Sequence, residues 1–217
     1  MATADRKERE KEQRKNVILD AAEKLFFSKG FDSVSMEEIA KEVELGKGTL
    51  YLYFKSKDSL FFAIISRKWI EFGKILTEKM SQVKTGFEKI QILIRWYIEY
   101  AQKNADYNDM ATTFGPQLFQ RIDAEDARMM MEVSMKYIPL VHAAVREGIE
   151  DGSVRNDLDP TLLGMYLQMI TFNVVSPDPS MKNGFAAQGI SYDKYVEMLP
   201  KFLCPAVARF PEKECDN

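Results

Sequence analysis

Apolar positions in this chain recur almost throughout at the three-to-four-residue spacing of a helix face. Ile18, Ala21, Ala22, Leu25 and Phe26 make the first such stripe, the pattern of an amphipathic helix with one buried side. Gly30 ends it, as a residue tolerant of the left-handed conformation does after a helix C-cap. Ser35 and Glu38 stand at capping-box spacing and predict a second, short helix carrying Met36, Ile39, Ala40 and Val43. A tight turn, Glu44-Leu45-Gly46, precedes a third short helix from Lys47 to Tyr53. Ser56 then caps a long fourth helix striped by Phe61, Ile65, Trp69, Phe72, Leu76 and Met80.

Beyond residue 85 the predicted helices are longer and more apolar. Ile90 to Ile98 is apolar on most sides, as a central buried helix is. A further helix is predicted over roughly 125–151, ending before Gly152. Asp159-Pro160 reads as an N-cap followed by proline in the first turn, opening a helix to about Val175. Residues 176–190, with Pro177, Pro179, Gly184 and Gly189, read as a loop. A last helix is expected from Tyr192 toward Phe202, limited by Pro205. No segment alternates convincingly as a strand. The expectation is an all-α chain of about nine helices, with a three-helix domain over 1–56 and a larger helical domain over 57–217.

Composition leaves this picture intact and narrows the setting. Hydrophobic residues at 46% and charged residues at 29% describe an ordinary globular protein. No apolar run approaches the roughly 18 residues that a membrane-spanning helix needs, so no membrane partner is expected. Met-Ala-Thr-Ala-Asp at the start lacks the apolar stretch of an export signal. Cys204 and Cys215 are therefore read as reduced thiols in a cytoplasm. The net charge of −3 gives no bulk support for nucleic-acid binding, and residues 1–60 hold twelve Lys/Arg against twelve Asp/Glu. Any such argument rests on local charge and geometry.

One stretch supplies both. Three helices over 16–53 have the lengths and turn of a helix-turn-helix. From Leu45 to Lys57 there are three lysines, Lys47, Lys55 and Lys57, and no acid. Thr49, Tyr51 and Tyr53 interleave hydroxyls that can bond phosphate oxygens or base edges. Gly48 lets backbone approach DNA closely, near a helix N-terminus whose free N–H groups favour phosphate. Leu50 and Phe54, four apart, suit a core; Tyr51 and Tyr53 cannot both face inward beside them. The charged run at residues 6–15 is either a solvated tail or a DNA-contacting arm.

At these residues the sequence resembles the TetR family of transcriptional repressors. Ile18-Leu19-Asp20-Ala21-Ala22-Glu23-Lys24-Leu25-Phe26, Gly30-Phe31 and Ser35-Met36-Glu37-Glu38-Ile39-Ala40 are similar to its first two helices. Lys47 to Lys57 is similar to its recognition helix and the cap of its fourth helix. The resemblance implies that Lys47, Thr49, Tyr51 and Tyr53 meet the major groove, with Gly48 packed against it. It implies that Lys55 and Lys57, with Ser35 and the Met36 backbone, clamp phosphates. Glu44 and Gly46 depart from the family pattern of a glycine inside the turn and a Ser or Thr cap. Glu44 is expected in a strained conformation costing on the order of 1 kcal/mol.

The resemblance also implies dimerisation through the last two helices, over roughly 160–175 and 192–208, on a palindromic operator. Leu162 to Phe172 leaves hardly any polar face, which independently asks for burial on two sides. Trp96, Tyr97, Tyr100, Met110, Phe114, Met131, Met135 and Met169 belong to a soft aromatic set suited to a small apolar effector, although core packing explains any one of them. His142 has no second His or Cys at metal-ligand spacing, so neither metal nor cofactor is expected. No phosphate loop or nucleophile–base pair suggests an enzyme. The reading is a cytoplasmic homodimeric repressor released by its effector. A regulator without a ligand, or an activator, is the first rival; a helical enzyme or carrier using the Met-rich cavity is the second.

Overall fold

The computed structural model describes residues 2–177 and 179–209. Ten helices account for nearly all of them: α1 (Ala2–Lys29), α2 (Met36–Glu42), α3 (Lys47–Tyr53), α4 (Lys57–Ser81), α5 (Gly86–Lys103), α6 (Ala105–Phe119), α7 (Ala124–Glu150), α8 (Pro160–Val175), α9 (Pro179–Ala187) and α10 (Tyr192–Val207). The described residues contain no strand, only an isolated antiparallel bridge between Val154 and Ala208.

Ten helices replace the nine or so expected, and two local readings need correction. Residues 176–190 are not a plain loop, because α9 forms inside them. Pro179 opens α9, where a missing N–H breaks no bond. Phe185 then lies against Tyr195 and Tyr192 at centroid distances of 4.6 and 5.6 Å, an anchor that local propensity does not register. Likewise α10 runs through Pro200 and Pro205 to Val207. Val196, Leu199, Leu203 and Val207 bury one side of it, and that burial outweighs the helix bonds the prolines remove.

The chain packs as two units, Met1–Trp69 with Asp109–Met131, and Ile70–Asn108 with Glu132–Asn217. In the first, Phe31 is the hub of the core. Its ring meets Phe26, Phe114 and Phe61 at centroid distances of 5.0, 5.3 and 5.6 Å. Ile18, Ile39, Leu50 and Leu60 are completely buried around it. α1, α2, α3 and α4 each contribute one of these buried side chains to the core.

In the second unit, Phe72 stacks near Trp96, whose indole N–H donates to the Phe72 carbonyl at 3.2 Å. A capping box between Thr85 and Glu88 starts α5. A Cβ added to Gly86 would lie 2.0 Å from the backbone nitrogen of Gly148. Only glycine therefore permits α5 and α7 to approach so closely.

Candidate nucleic-acid interface

Ser35 caps α2 as its spacing predicts, its hydroxyl accepting the Glu38 N–H at 3.2 Å. The Glu38 carboxylate pairs with Lys29, which holds its pKa below the usual carboxylate value. At the end of α2 the chain turns sharply, with the Leu45 N–H donating to the Ala40 carbonyl at 2.8 Å. Glu44 occupies that turn at φ 54°, the strained geometry expected of it. Gly46 is the N-cap of α3 and supplies no side-chain bond.

The seven residues of α3 divide cleanly between inside and outside. Leu50 is completely buried, followed by buried Phe54. Lys47, Gly48, Thr49 and Tyr51 are exposed, and Tyr53 is half-buried. Leu52, at 83% exposure, was not among the sequence-predicted contacts. Its signal was its place between Tyr51 and Tyr53, two positions from Leu50 and hence pointing away from the core. An apolar side chain so placed can meet a thymine methyl group.

The cations behave differently from one another. Lys47 is exposed, with Glu37 of α2 at 3.6 Å. Lys55 is ion-paired with Glu125 at the start of α7, and that carboxylate raises the lysine pKa. Lys57 donates to the Phe31 and Asp32 carbonyls at 2.7 and 3.3 Å, its ammonium 4.4 Å from the Phe31 ring centroid. Lys57 thus holds the α1–α2 connection to α4. Met36 buries its side chain and offers a partner only its backbone.

The predicted effector residues separate into groups. Trp96, Tyr97 and Tyr100 gather around Phe72, with Tyr97 and Tyr100 at 4.9 and 5.3 Å between centroids. Burial pushes the Tyr97 hydroxyl pKa well above its ordinary value. Met110 is buried in the first unit, where Phe114 packs on Phe31. Met131, Met135 and Met169 are exposed by 62, 68 and 59%. Sequence reasoning missed Tyr137 and Thr171, whose buried hydroxyls have no hydrogen-bond partner among the described residues. Thr171 carried a signal: it is a polar position between Ile170 and Phe172 in a mostly apolar helix.

Among the described residues no three His, Cys, Asp or Glu could hold a metal ion, and no helix is long and apolar enough to cross a membrane. The ring of His142 packs where a Cβ on Gly164 would sit, 2.4 Å from its Nδ1. Burial raises the pKa of the partly buried Cys204 thiol; Cys215 lies outside the described residues.

Residues 18–64 match the model of bacterial regulatory proteins of the tetR family. The fatty acid metabolism regulator protein of Bacillus subtilis is 26% identical over 146 residues, covering 67% of this chain and 73% of that one. A solved transcriptional regulator of the TetR/AcrR family from Thermobifida fusca superposes with a TM-score of 0.69 at 25% identity, over 88% of this chain and 97% of that one. The regulator FadR of Bacillus subtilis, solved in complex with stearoyl-CoA, shares the fold with a TM-score of 0.66 at 19% identity, covering 87% and 96% of the two chains.

Proposed function

For a chain that belongs to the TetR family of transcriptional regulators, we propose a homodimeric, non-enzymatic repressor that binds a palindromic operator and is released by a small apolar effector. Residues 1–56 read the DNA, and residues 57–217 hold the effector and the partner copy. The division of α3 carries this reading: Leu50 locks it to the core while Lys47, Gly48, Thr49 and Tyr51 stand outward. A helix so anchored and so exposed has the form of a major-groove reader.

Dimerisation is supported by α8, which has two apolar sides. Leu163, Leu167, Val174 and Val175 are buried, while Leu162, Met165, Tyr166, Met169 and Phe172 are exposed by 43 to 65%. A second copy is the simplest cover for an apolar stripe of that length. Two recognition helices can then dock only when they stand about 34–36 Å apart.

The effector reading is supported by the aromatic cluster at Phe72 and by the unpartnered hydroxyls of Tyr137 and Thr171, which can anchor a polar end. The similar Bacillus subtilis regulators, one of fatty acid metabolism and one bound to stearoyl-CoA, make a long acyl chain the first effector class to try. An effector that prefers the DNA-incompetent spacing weakens DNA binding by its preference ratio.

The test is enrichment of duplexes from a random pool by the full chain, followed by gel shifts across a salt series and with added stearoyl-CoA. A palindromic sequence bound with steep salt dependence is expected, with Lys47→Ala and Tyr53→Ala each losing at least about tenfold. Failure to enrich any sequence overturns the DNA reading. Retention of the duplex with every acyl chain tried overturns this effector class.

A further inference from the structure

The charges of residues 6–15 sort unevenly around the folded helix. α1 is helical from Ala2, and its first buried residue among those described is Ile18. The stretch from Lys7 to Ile18 therefore leads the core by about 16 Å at roughly 1.5 Å per residue. Lys7, Lys11 and Arg14 lie at i, i+4 and i+7, so they share one face. Glu8 and Glu12 fall on another. Glu10 lies on the cationic face and lines the same cleft, with its carboxylate held by Arg6 at 2.7 Å.

That cationic face looks into a groove. Lys7, Lys11 and Arg14 line one side of a cleft of about 710 Å³, with Glu44, Leu45 and Tyr53 from the turn and from α3 on the other. All three cations are exposed, and none has an ion-pair partner among the described residues. Lys15, next on the helix, turns its ammonium toward Phe54 at 5.9 Å from the ring centroid, tying the extension to the end of α3. The groove thus joins three cations, unpaired among the described residues, to Tyr53, a residue the family resemblance places at DNA.

We infer that this groove seats a second segment of the same duplex, a phosphate strand flanking the bases under α3, with Lys7, Lys11 and Arg14 as its phosphate contacts. The inference rests on the DNA-binding reading above. Charge complementarity fits this occupant: cations held at helical spacing and left unpaired beside a recognition helix match a regularly spaced row of anions. Glu44 is the acid in the lining without an ion-pair partner among the described residues, and it sets the limit of the strand's approach. A site of this kind lengthens the protected DNA and adds affinity with little base preference.

The test compares the full wild-type chain with Lys7→Gln/Lys11→Gln/Arg14→Gln on a labelled 40-base-pair duplex centred on the sequence the wild type enriches from a random pool. Glutamine keeps helix propensity, and circular dichroism checks that α1 persists. The slope of log affinity against log salt should become shallower by about 0.9 per lost phosphate, roughly 2.7 for each copy and about 5.4 for the bound dimer. Hydroxyl-radical protection should shrink at the outer edges while the central bases stay protected. An unchanged slope and footprint overturn the inference and leave the DNA reading standing, whereas no enrichment by the wild type removes that reading itself. An unchanged slope with a lower sedimentation coefficient assigns the groove to contact between copies and also overturns the inference.

Discussion

The Ser59 hydroxyl donates to the Asp126 carboxylate at 2.9 Å, joining the first turn of α4 to the first turn of α7. Both residues are nearly buried, and Asp123 caps the same end of α7, accepting the Asp126 N–H at 2.8 Å. Loss of solvation raises the Asp126 pKa above its ordinary value, and the Ser59 bond offsets that only in part. A carboxyl that holds its proton more tightly when folded costs stability above the folded pKa. The cost is relieved as pH falls through that value toward the unfolded one. Asp126→Asn keeps an oxygen for Ser59 and removes the buried charge. The variant should melt higher than wild type by a few degrees at pH 7.5, with the two curves converging near pH 4. Equal gaps at both pH values would rule out the burial explanation.

Beside that bond, Lys55 is held by Glu125 although its place just after α3 suits a DNA phosphate. One ammonium cannot serve both fully, so a phosphate contact by Lys55, as the family resemblance implies, would compete with this pair. Glu125→Gln should free Lys55 and steepen the salt slope of DNA binding by up to about 0.9 per copy, or about 1.8 for a bound dimer, with no large change in melting. Lys55→Gln in the same background should cancel the gain. A double variant that keeps it would place the effect elsewhere.

Glu44 at φ 54° stores strain at the joint between α2 and α3. Glycine there relieves a left-handed conformation costing on the order of 1 kcal/mol, less what its freer unfolded chain returns. Glu44→Gly should raise stability by about 0.5 kcal/mol in thermal or urea unfolding. Glu44→Val, β-branched and worse at positive φ, should lower it by 1 kcal/mol or more. Two variants shifting in the same direction would argue against strain at this position.

Tyr137 keeps a buried hydroxyl without a partner among the described residues, and such a group costs about 1–3 kcal/mol. Tyr137→Phe should therefore be neutral or stabilising in the free protein. The same change should weaken release of DNA by an effector whose polar end bonds that hydroxyl. Calorimetry without ligand and gel shifts with ligand separate the two effects. Lower stability in the free protein would mean that the hydroxyl is satisfied after all.

The helix-turn-helix was legible because its signals are local: the stripe from Ile18, the Ser35 cap, the acid-free run from Leu45 to Lys57. The start of α2 and the bounds of α3 and α8 followed from caps and periodicity alone, whereas Val43, expected on α2, is its C-cap. What escaped depends on distant partners. α9 needs Tyr192 and Tyr195 under Phe185. Lys57 looked like Lys55 in sequence, yet it is spent on the carbonyls of Phe31 and Asp32. The methionines show the same limit, since soft apolar character does not say whether a side chain ends inside, like Met110, or outside, like Met135.

The outward stripe of α8 gives the last prediction. Leu162, Met165, Tyr166, Met169 and Phe172 follow i, i+3, i+4, i+7, i+10 and all stand exposed, back to back with a buried stripe on the same helix. Glutamate at Met169 would place a charge in the middle of that face, where burial against a copy is unfavourable without a counter-ion. Met169→Glu should sediment as a monomer at micromolar concentration while wild type sediments as a dimer. Its own fold should survive, because Met169 is 59% exposed within one chain. Losing the second recognition helix removes avidity, so affinity for a palindromic duplex should fall by about a hundredfold or more. Affinity for a half-site duplex should change little. A dimeric Met169→Glu variant with intact affinity would move the interface away from α8.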